Sequence, residues 1–152
     1  MPGWKATAPK DDRAYFERMA THIFSAGLNW QVVESKKEAF RKAFDGYSPD
    51  KVAGFTDADV RPLLTDTGII RIEKKTRSTT HNASQLQSIR KEYGSFEGYL
   101  AHFGRYEESL QEDPRRRFQH LGPSTARMFL WSVGYPLTPD TEEKKLMASH
   151  KM

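Results

Sequence analysis

The chain has 152 residues, which fits one domain or two lobes sharing a core. Hydrophobic residues make up 37% and aromatic residues 12%; this supports a packed core and excludes general disorder, and no apolar run approaches the length of a membrane span. A net charge of +4 and a sequence pI of about 9.3 permit a polyanionic partner without demanding one, and the absence of cysteine excludes disulfides and Cys-ligated zinc or iron–sulfur centres. The N-terminus, "MPGWKATAPKDDR", carries no apolar stretch of the secretory type, so cytoplasmic residence is expected.

In chain order the periodicity is helical almost throughout. Phe16, Met19, Ala20, Ile23 and Phe24 recur at the spacing of one helix face, with Asp11 or Asp12 as cap and Gly27 as terminator. Trp30, Val33, Phe40 and Phe44 predict a second helix, closing near Gly46. Ser48-Pro49-Asp50 reads as N-cap, first-turn proline and first-turn acid of a short helix to about Phe55. Thr56 and Asp59 resemble a capping box opening a helix with Val60, Leu63 and Leu64 that ends at Gly68. Residues 69 to 93 read as one long helix whose polar middle, "TRSTTHNAS", is a candidate break. "GSFEGYLAHFG" predicts a short helix capped by Ser95, "EDPRRR" a loop or a helix start, and Gly122 to Val133 the last strong helix. The tail from 141 to 152 is polar and expected to fray. No alternating strand pattern is found. The expectation is an all-α fold of about seven to nine short helices, with one helical domain over residues 1–140 followed by the tail.

The stretch "HLGPSTARMFLWSVGYP" draws attention because a Gly-Pro turn follows the most basic run in the chain, "PRRRFQH". Proline at the first helical position costs nothing, since that N–H has no intrahelical partner. The N–H groups of Ser124 and Thr125 then point outward at the positive end of the helix dipole, Gly122 removes a side chain where a backbone could come close, and Arg115, Arg116, Arg117 and Arg127 surround the turn. Such a site suits a phosphate oxygen. An ordinary helix–helix turn with a solvated basic run accounts for the same residues, and so does a solvated face for the runs at Lys36, Lys37, Arg41, Lys42 and at Lys74, Lys75, Arg77. Pairs such as Glu38–Lys42 would serve solubility.

"FQHLGPSTA" resembles the hairpin of helix-hairpin-helix DNA glycosylases, Leu-Pro-Gly-Val-Gly-x-x-Thr-Ala, with Phe118, Leu121, Gly122, Thr125 and Ala126 in matching places and the hairpin spanning about 118–134. His120 stands where that pattern has its first glycine, a place that often needs positive φ. Upstream, "AGLNWQVVESKKEAFRKAFDGYSPDKVAGFTDADVRPLLTDTGIIR", with "HNA" further on, resembles the 3-methyladenine DNA glycosylase I family, and the likeness runs from about Trp4 to Asp140. That family carries Ala-Gly-Leu-Ser-Trp, a Lys-Lys/Arg helix, a Gly-Ile-Ile-Arg turn and Asn-Ala; Arg71, Lys75 and Asn82 match its Arg, Lys and Asn.

The resemblance implies base-excision repair of double-stranded DNA: the damaged base is flipped into a pocket and its N-glycosidic bond hydrolysed through an oxocarbenium-like transition state. It implies Trp30 as the base-stacking residue, and Gly122, Pro123, Ser124, Thr125 and Arg127 as the DNA-binding turn. The family's pocket glutamate lies eight residues before this Trp, and that position is His22, which can donate a hydrogen bond to a base edge but presents no carboxylate. Asp140, in "GYPLTPDT", resembles the Asp that follows the hairpin helix in the wider superfamily and would stabilise the sugar cation or position water. Core packing for Trp30 and His22 and a polar tail turn for Asp140 are the plain alternatives. The family's structural zinc is held by Cys and His; with no Cys and no Tyr-His segment before "GWK", no metal or other cofactor is expected.

The resulting expectation is a monomeric DNA glycosylase acting on alkylated bases such as 3-methyladenine. A DNA-binding descendant without catalysis is the rival favoured by His22 and the missing zinc ligands. A helical protein-interaction scaffold is the third reading.

Overall fold

Asp11 sits in extended backbone and its side chain accepts the Ala14 N–H at 2.9 Å, which starts the first helix, α1, Asp12–Ser25. In the computed structural model, which describes residues 8–103 and 107–135, α1 is followed by α2 (Trp30–Ser35), α3 (Lys37–Ala43), a 3-10 turn (Asp45–Tyr47), α4 (Pro49–Ala53), α5 (Asp57–Leu63), α6 (Glu73–Tyr93), α7 (Phe96–Phe103), α8 (Glu107–Arg117) and α9 (Pro123–Ser132). There is no strand among the described residues. The expected all-α class is what the chain adopts, and helix starts fall where N-caps were read: Ser48 accepts the Lys51 N–H, the Thr56 N–H donates to Asp59 at 2.8 Å, and Ser95 Oγ accepts the Gly98 N–H at 2.9 Å. The end of α5 differs from the expectation: it stops at Leu63 and not at Gly68, because the N–H groups of Leu64, Thr65 and Asp66 take carbonyls three residues back and close the helix in tight turns. The tail at 141–152, Trp4 and Asp140 lie outside the described residues.

Four further local expectations need correction. The helix expected from Trp30 to Phe44 is two helices. The Ser35 hydroxyl bonds the Val32 carbonyl at 2.7 Å and the Lys36 N–H takes the Val33 carbonyl, three residues back, at 3.0 Å, so the last turn of α2 tightens and α3 begins anew at Lys37. The long helix starts at Glu73 and not at Ile69. Three isoleucines among residues 69–72 favour extended backbone, and Ile69 is buried in the core. The polar middle of that helix does not break it, because the hydroxyls of Ser78 and Thr79 both bond the Lys75 carbonyl and Ser84 bonds that of His81. With their hydrogen bonds met inside the helix, Ser78 and Thr79 can be buried. Finally, "EDPRRR" is the closing part of α8, with Pro114 inside the helix and its carbonyl accepting the Phe118 N–H at 2.9 Å.

The core is a contiguous apolar cluster running through Phe16, Phe24, Phe44, Phe96, Tyr99 and Phe129. α6 is its axle: α4, α7, α1 and α5 all pack on it. α1 packs on α2, α6 and α9, and α8 on α7 and α9. This arrangement places the loop before Trp30 and the hairpin between α8 and α9 on elements that share α1 and α6 as supports.

Candidate nucleic-acid interface

The hairpin turn is built from residues 118 to 122. Phe118 and Leu121 point inward and are buried, while Gln119, His120, Gly122, Pro123 and Ser124 are exposed. His120 takes φ 59°, the left-handed backbone that the first glycine of the resembling motif supplies; the histidine keeps the turn's shape. Gly122 has φ −70° and ψ 177° at the N-cap of α9, offers no side-chain cap, and a Cβ built on it would meet nothing within 4 Å. Neither backbone geometry nor internal packing therefore requires glycine there. The first turn of α9 closes with the Ala126 N–H on the Gly122 carbonyl at 2.8 Å, and among the described residues no acceptor meets the N–H groups of Ser124 and Thr125. These are bare donors at the positive end of a helix of 10 residues.

An open groove of about 550 Å³ runs beside the turn, lined by Arg115, Arg116, His120, Gly122 and Pro123 among others. The arginines differ in their partners. Arg116 and Arg117 share Asp113, at 2.6 and 2.9 Å, and Arg117 also pairs with Glu92 at 3.0 Å. No ion pair of Arg115 is found among the described residues. Asp113 is buried and also accepts the Tyr99 hydroxyl at 2.6 Å. Burial works to raise its pKa, but the bonds from Tyr99, Arg116 and Arg117 prevail and hold its carboxyl below the ordinary range. The side chain of Arg127 is half-buried.

Behind the turn stands α6. Asn82, 1% exposed, accepts the Gln119 N–H at 2.8 Å and donates to the Gln119 carbonyl at 3.2 Å, and His81 Nε2 lies 3.2 Å from the Arg117 carbonyl.

α9 links this turn to the second set of expected residues. About 15 Å separates its two ends at the ordinary helical rise, and at the far end Phe129 and Ser132 lie against His22 of α1. His22 is buried, and its Nε2 is 3.1 Å from Ser132 Oγ. Ser132 Oγ donates its own proton to the Phe129 carbonyl at 2.7 Å, so it is the acceptor toward His22 and Nε2 carries the hydrogen. Burial, with a further push from Arg18, holds the imidazole pKa down to about 3, so the ring is neutral at any physiological pH. Trp30, half-buried, lies with its ring 5.0 Å from the His22 ring at 50°. It is the first residue of α2, fixed by the Asn29 side chain capping the Gln31 N–H at 2.8 Å and by Gly27 at φ 80° in the loop before it. Lys75 Nζ donates to the Ala26 carbonyl at 2.9 Å and fastens that loop to α6. Leu28 and Val32, 46% and 44% exposed, flank Trp30 in sequence.

The structure thus brings Trp30 and His22 together, and puts Gly122, Pro123, Ser124 and Thr125 at one exposed turn. Asp140 falls outside the described residues. Sequence reasoning missed Arg18, whose Nη1 donates to the Ser132 carbonyl at 2.8 Å, and missed Ser132. The helical spacing of Arg18 to His22 and of Phe129 to Ser132 was the available signal. Three residues of the basic runs are paired within the molecule at its surface: Arg41 with Glu17 and Glu38, Arg77 with Asp57 and Glu73, and Lys37 with Glu34. The pair found at Glu38 is with Arg41 and not Lys42. The zinc implied by the resemblance does not fit these residues: there is no cysteine, and no group of three candidate ligands occurs among the described residues. No described helix is long and apolar enough to cross a membrane.

The sequence pattern of the methyladenine glycosylase family matches residues 3–124. The chain is 24% identical over 144 residues to the DNA-3-methyladenine glycosylase of Haemophilus influenzae, covering 82% of this chain and 78% of that protein. It is 37% identical over 73 residues to DNA-3-methyladenine glycosylase 1 of Escherichia coli, covering 48% of this chain and 39% of that protein. The solved structure of 3-methyladenine DNA glycosylase I from Staphylococcus aureus, described for its recognition of 3-methyladenine, superposes with a TM-score of 0.79 at 26% identity, over 93% of this chain and 87% of that one. The exposed Gly-Pro turn, the Trp30–His22 pair and a match over four-fifths of the sequence converge on one conclusion, that the chain belongs to the methyladenine glycosylase family.

Proposed function

We propose that this protein is an N-glycosyl hydrolase that binds double-stranded DNA and releases alkylated bases such as 3-methyladenine, acting as a cytoplasmic monomer with its helical domain over residues 1–140. The observation that carries the reading is the geometry of α9: one end offers bare amides at an exposed glycine turn, and the other end braces the His22–Trp30 pair. In this reading the N–H groups of Ser124 and Thr125 hold a backbone phosphate, Pro123 presets the turn, and Arg127 adds charge beside it. Gly122 lets the strand come close, which accounts for a glycine that the protein itself does not require. The extruded base stacks on Trp30, and His22 stands at its edge.

The chemistry asks little of the protein. In 3-methyladenine the base is cationic before cleavage, so the C1′–N9 bond breaks with its electron pair going to the base, which leaves neutral. A water oxygen bonds to C1′ and loses its proton. Asp140 is proposed to position that water or to stabilise the sugar cation. His22, neutral and with its Nε2 hydrogen directed at Ser132, serves packing and base recognition and does not act as a carboxylate.

The test is base release from methylated duplex DNA. Release above the buffer rate, lost on replacing Trp30, is expected; release at the buffer rate rejects the enzyme. One observation favours a second reading, a DNA binder with impaired catalysis: the buried neutral His22 stands where the resembling family has a carboxylate. That reading expects salt-sensitive duplex binding without release, and a gain of release in His22→Glu.

A further inference from the structure

Resting on the reading of the Gly122 turn as the strand-binding element, we propose that Asn82 is the positioning residue of that turn. It imposes from α6 a backbone shape that the turn's own sequence does not hold.

The turn needs outside support. His120 occupies left-handed backbone at φ 59°, which an L residue with a Cβ adopts at a cost, and the glycine that removes this cost in the resembling motif is absent. Gly122 contributes no side-chain cap to α9. Asn82 supplies what is missing. Its carboxamide pairs with both polar groups of one residue: Oδ1 accepts the Gln119 N–H at 2.8 Å, and Nδ2 donates to the Gln119 carbonyl at 3.2 Å. The orientation of the amide is unambiguous, because the N–H can only donate and the carbonyl can only accept. The adjacent His81 donates from Nε2 to the Arg117 carbonyl at 3.2 Å, so two consecutive residues of α6 grip the chain on the approach to His120.

The grip is rigid for three reasons. Asn82 is 1% exposed, so water does not compete for its amide. It sits near the middle of a 21-residue helix, far from frayed ends. Its neighbour Ala83 is fully buried in the core. The contact joins residues 37 apart in sequence, so it pins the hairpin to the body of the fold and not to its own helices. With Gln119 fixed, the peptide planes through His120 and Leu121 are constrained, and with them the direction of the Ser124 and Thr125 donors.

The experiment compares the full-length protein with Asn82→Ala, with Asn82→Ala/His120→Gly and with Gly122→Leu as the reference for a blocked turn. Duplex DNA binding is measured by titration at low salt, and amide hydrogen exchange is followed at Gln119. Asn82→Ala is expected to retain its helical circular dichroism, to lose protection at the Gln119 amide, and to bind duplex about tenfold more weakly. Adding His120→Gly, which removes the left-handed cost, is expected to recover part of that loss; a merely structural effect of Asn82 would not be repaired by a glycine in the turn. If Asn82→Ala loses its helical signal, Asn82→Ser, with one hydroxyl for the same partner, replaces it. Duplex binding unchanged in the Asn82 variant while the Gln119 amide is deprotected overturns this inference alone. Failure of the unaltered protein to bind duplex at low salt overturns both the inference and the reading of the turn.

Discussion

His22 Nε2 and Ser132 Oγ, 110 residues apart in sequence, meet at 3.1 Å and join the first described helix to the last. The contact fixes the imidazole as the Nε2–H tautomer and lies in the layer that carries Trp30. Burial and the neighbouring Arg18 guanidinium keep the ring uncharged down to about pH 3, against an ordinary value of 6.5.

That depressed value has a signed consequence for stability. The unfolded chain takes up the His22 proton near pH 6.5 and the folded chain only near 3, so the contribution is fully present above 6.5 and is lost as pH falls toward 3. Across that window the loss approaches about 1.4 kcal/mol per pH unit. Thermal melting from pH 7 to pH 4 is expected to show a steeper fall in Tm for the unaltered protein than for His22→Gln, which keeps a donor for Ser132 and does not titrate. Parallel slopes would mean that His22 is not held neutral by the fold.

Replacing Trp30 by alanine removes the ring against His22 and is expected to slow base release by about tenfold to a hundredfold, the usual worth of one base–aromatic stack. Duplex affinity should change much less, since the backbone is held at the other end of α9. Single-turnover release and a binding titration on the same preparation separate the two effects. Equal losses in both would place Trp30 in the structure and not in base capture.

Gly122 offers a dissociation of stability from binding. A Cβ there meets nothing within 4 Å and φ is −70°, so Gly122→Ala should alter stability by less than about 1 kcal/mol in either direction. The same change, and more so Gly122→Leu, should weaken duplex binding. A Tm that drops steeply with intact binding would reverse the assignment.

Asp113 carries the opposite expectation. It is buried and bonded to Tyr99, Arg116 and Arg117, so Asp113→Ala leaves a buried hydroxyl and two guanidinium groups without their shared acceptor. A loss of roughly 1–3 kcal/mol in chemical denaturation is expected, the cost of leaving the buried Tyr99 hydroxyl without an acceptor. The protein should melt earlier and bind DNA more weakly at a given temperature, and wild-type stability in this variant would show that the network is dispensable.

Much of the fold was legible from local chemistry. Asp11, Ser48 and Ser95 cap helices where a short polar side chain precedes an apolar period, and Gly27 and Gly94 end helices at positive φ. What misled was also local: Trp30 to Phe44 keeps a helical period across the Ser35–Lys36 junction, and "TRSTTHNAS" reads as a break although the hydroxyls of Ser78, Thr79 and Ser84 each bond a carbonyl about one turn back. In the candidate site, the Gly-Pro turn and Trp30 were visible because a motif names residues that are close in the chain. Asn82 was visible as a matching residue but not as a clamp.

The sequence by itself determined where several helices begin, the apolar face of the first helix, and which family the chain resembles, because caps and periodicity act over a few residues. Only the tertiary structure decided that Asn82 grips Gln119, that Asp113 and Glu92 together pair two of the three consecutive arginines, and that His22 is neutral against Ser132. Those outcomes depend on which apolar faces meet and on how much water they exclude. Pairing of distant faces and the cost of burying a charge are properties of the packed molecule and not of any short stretch of it.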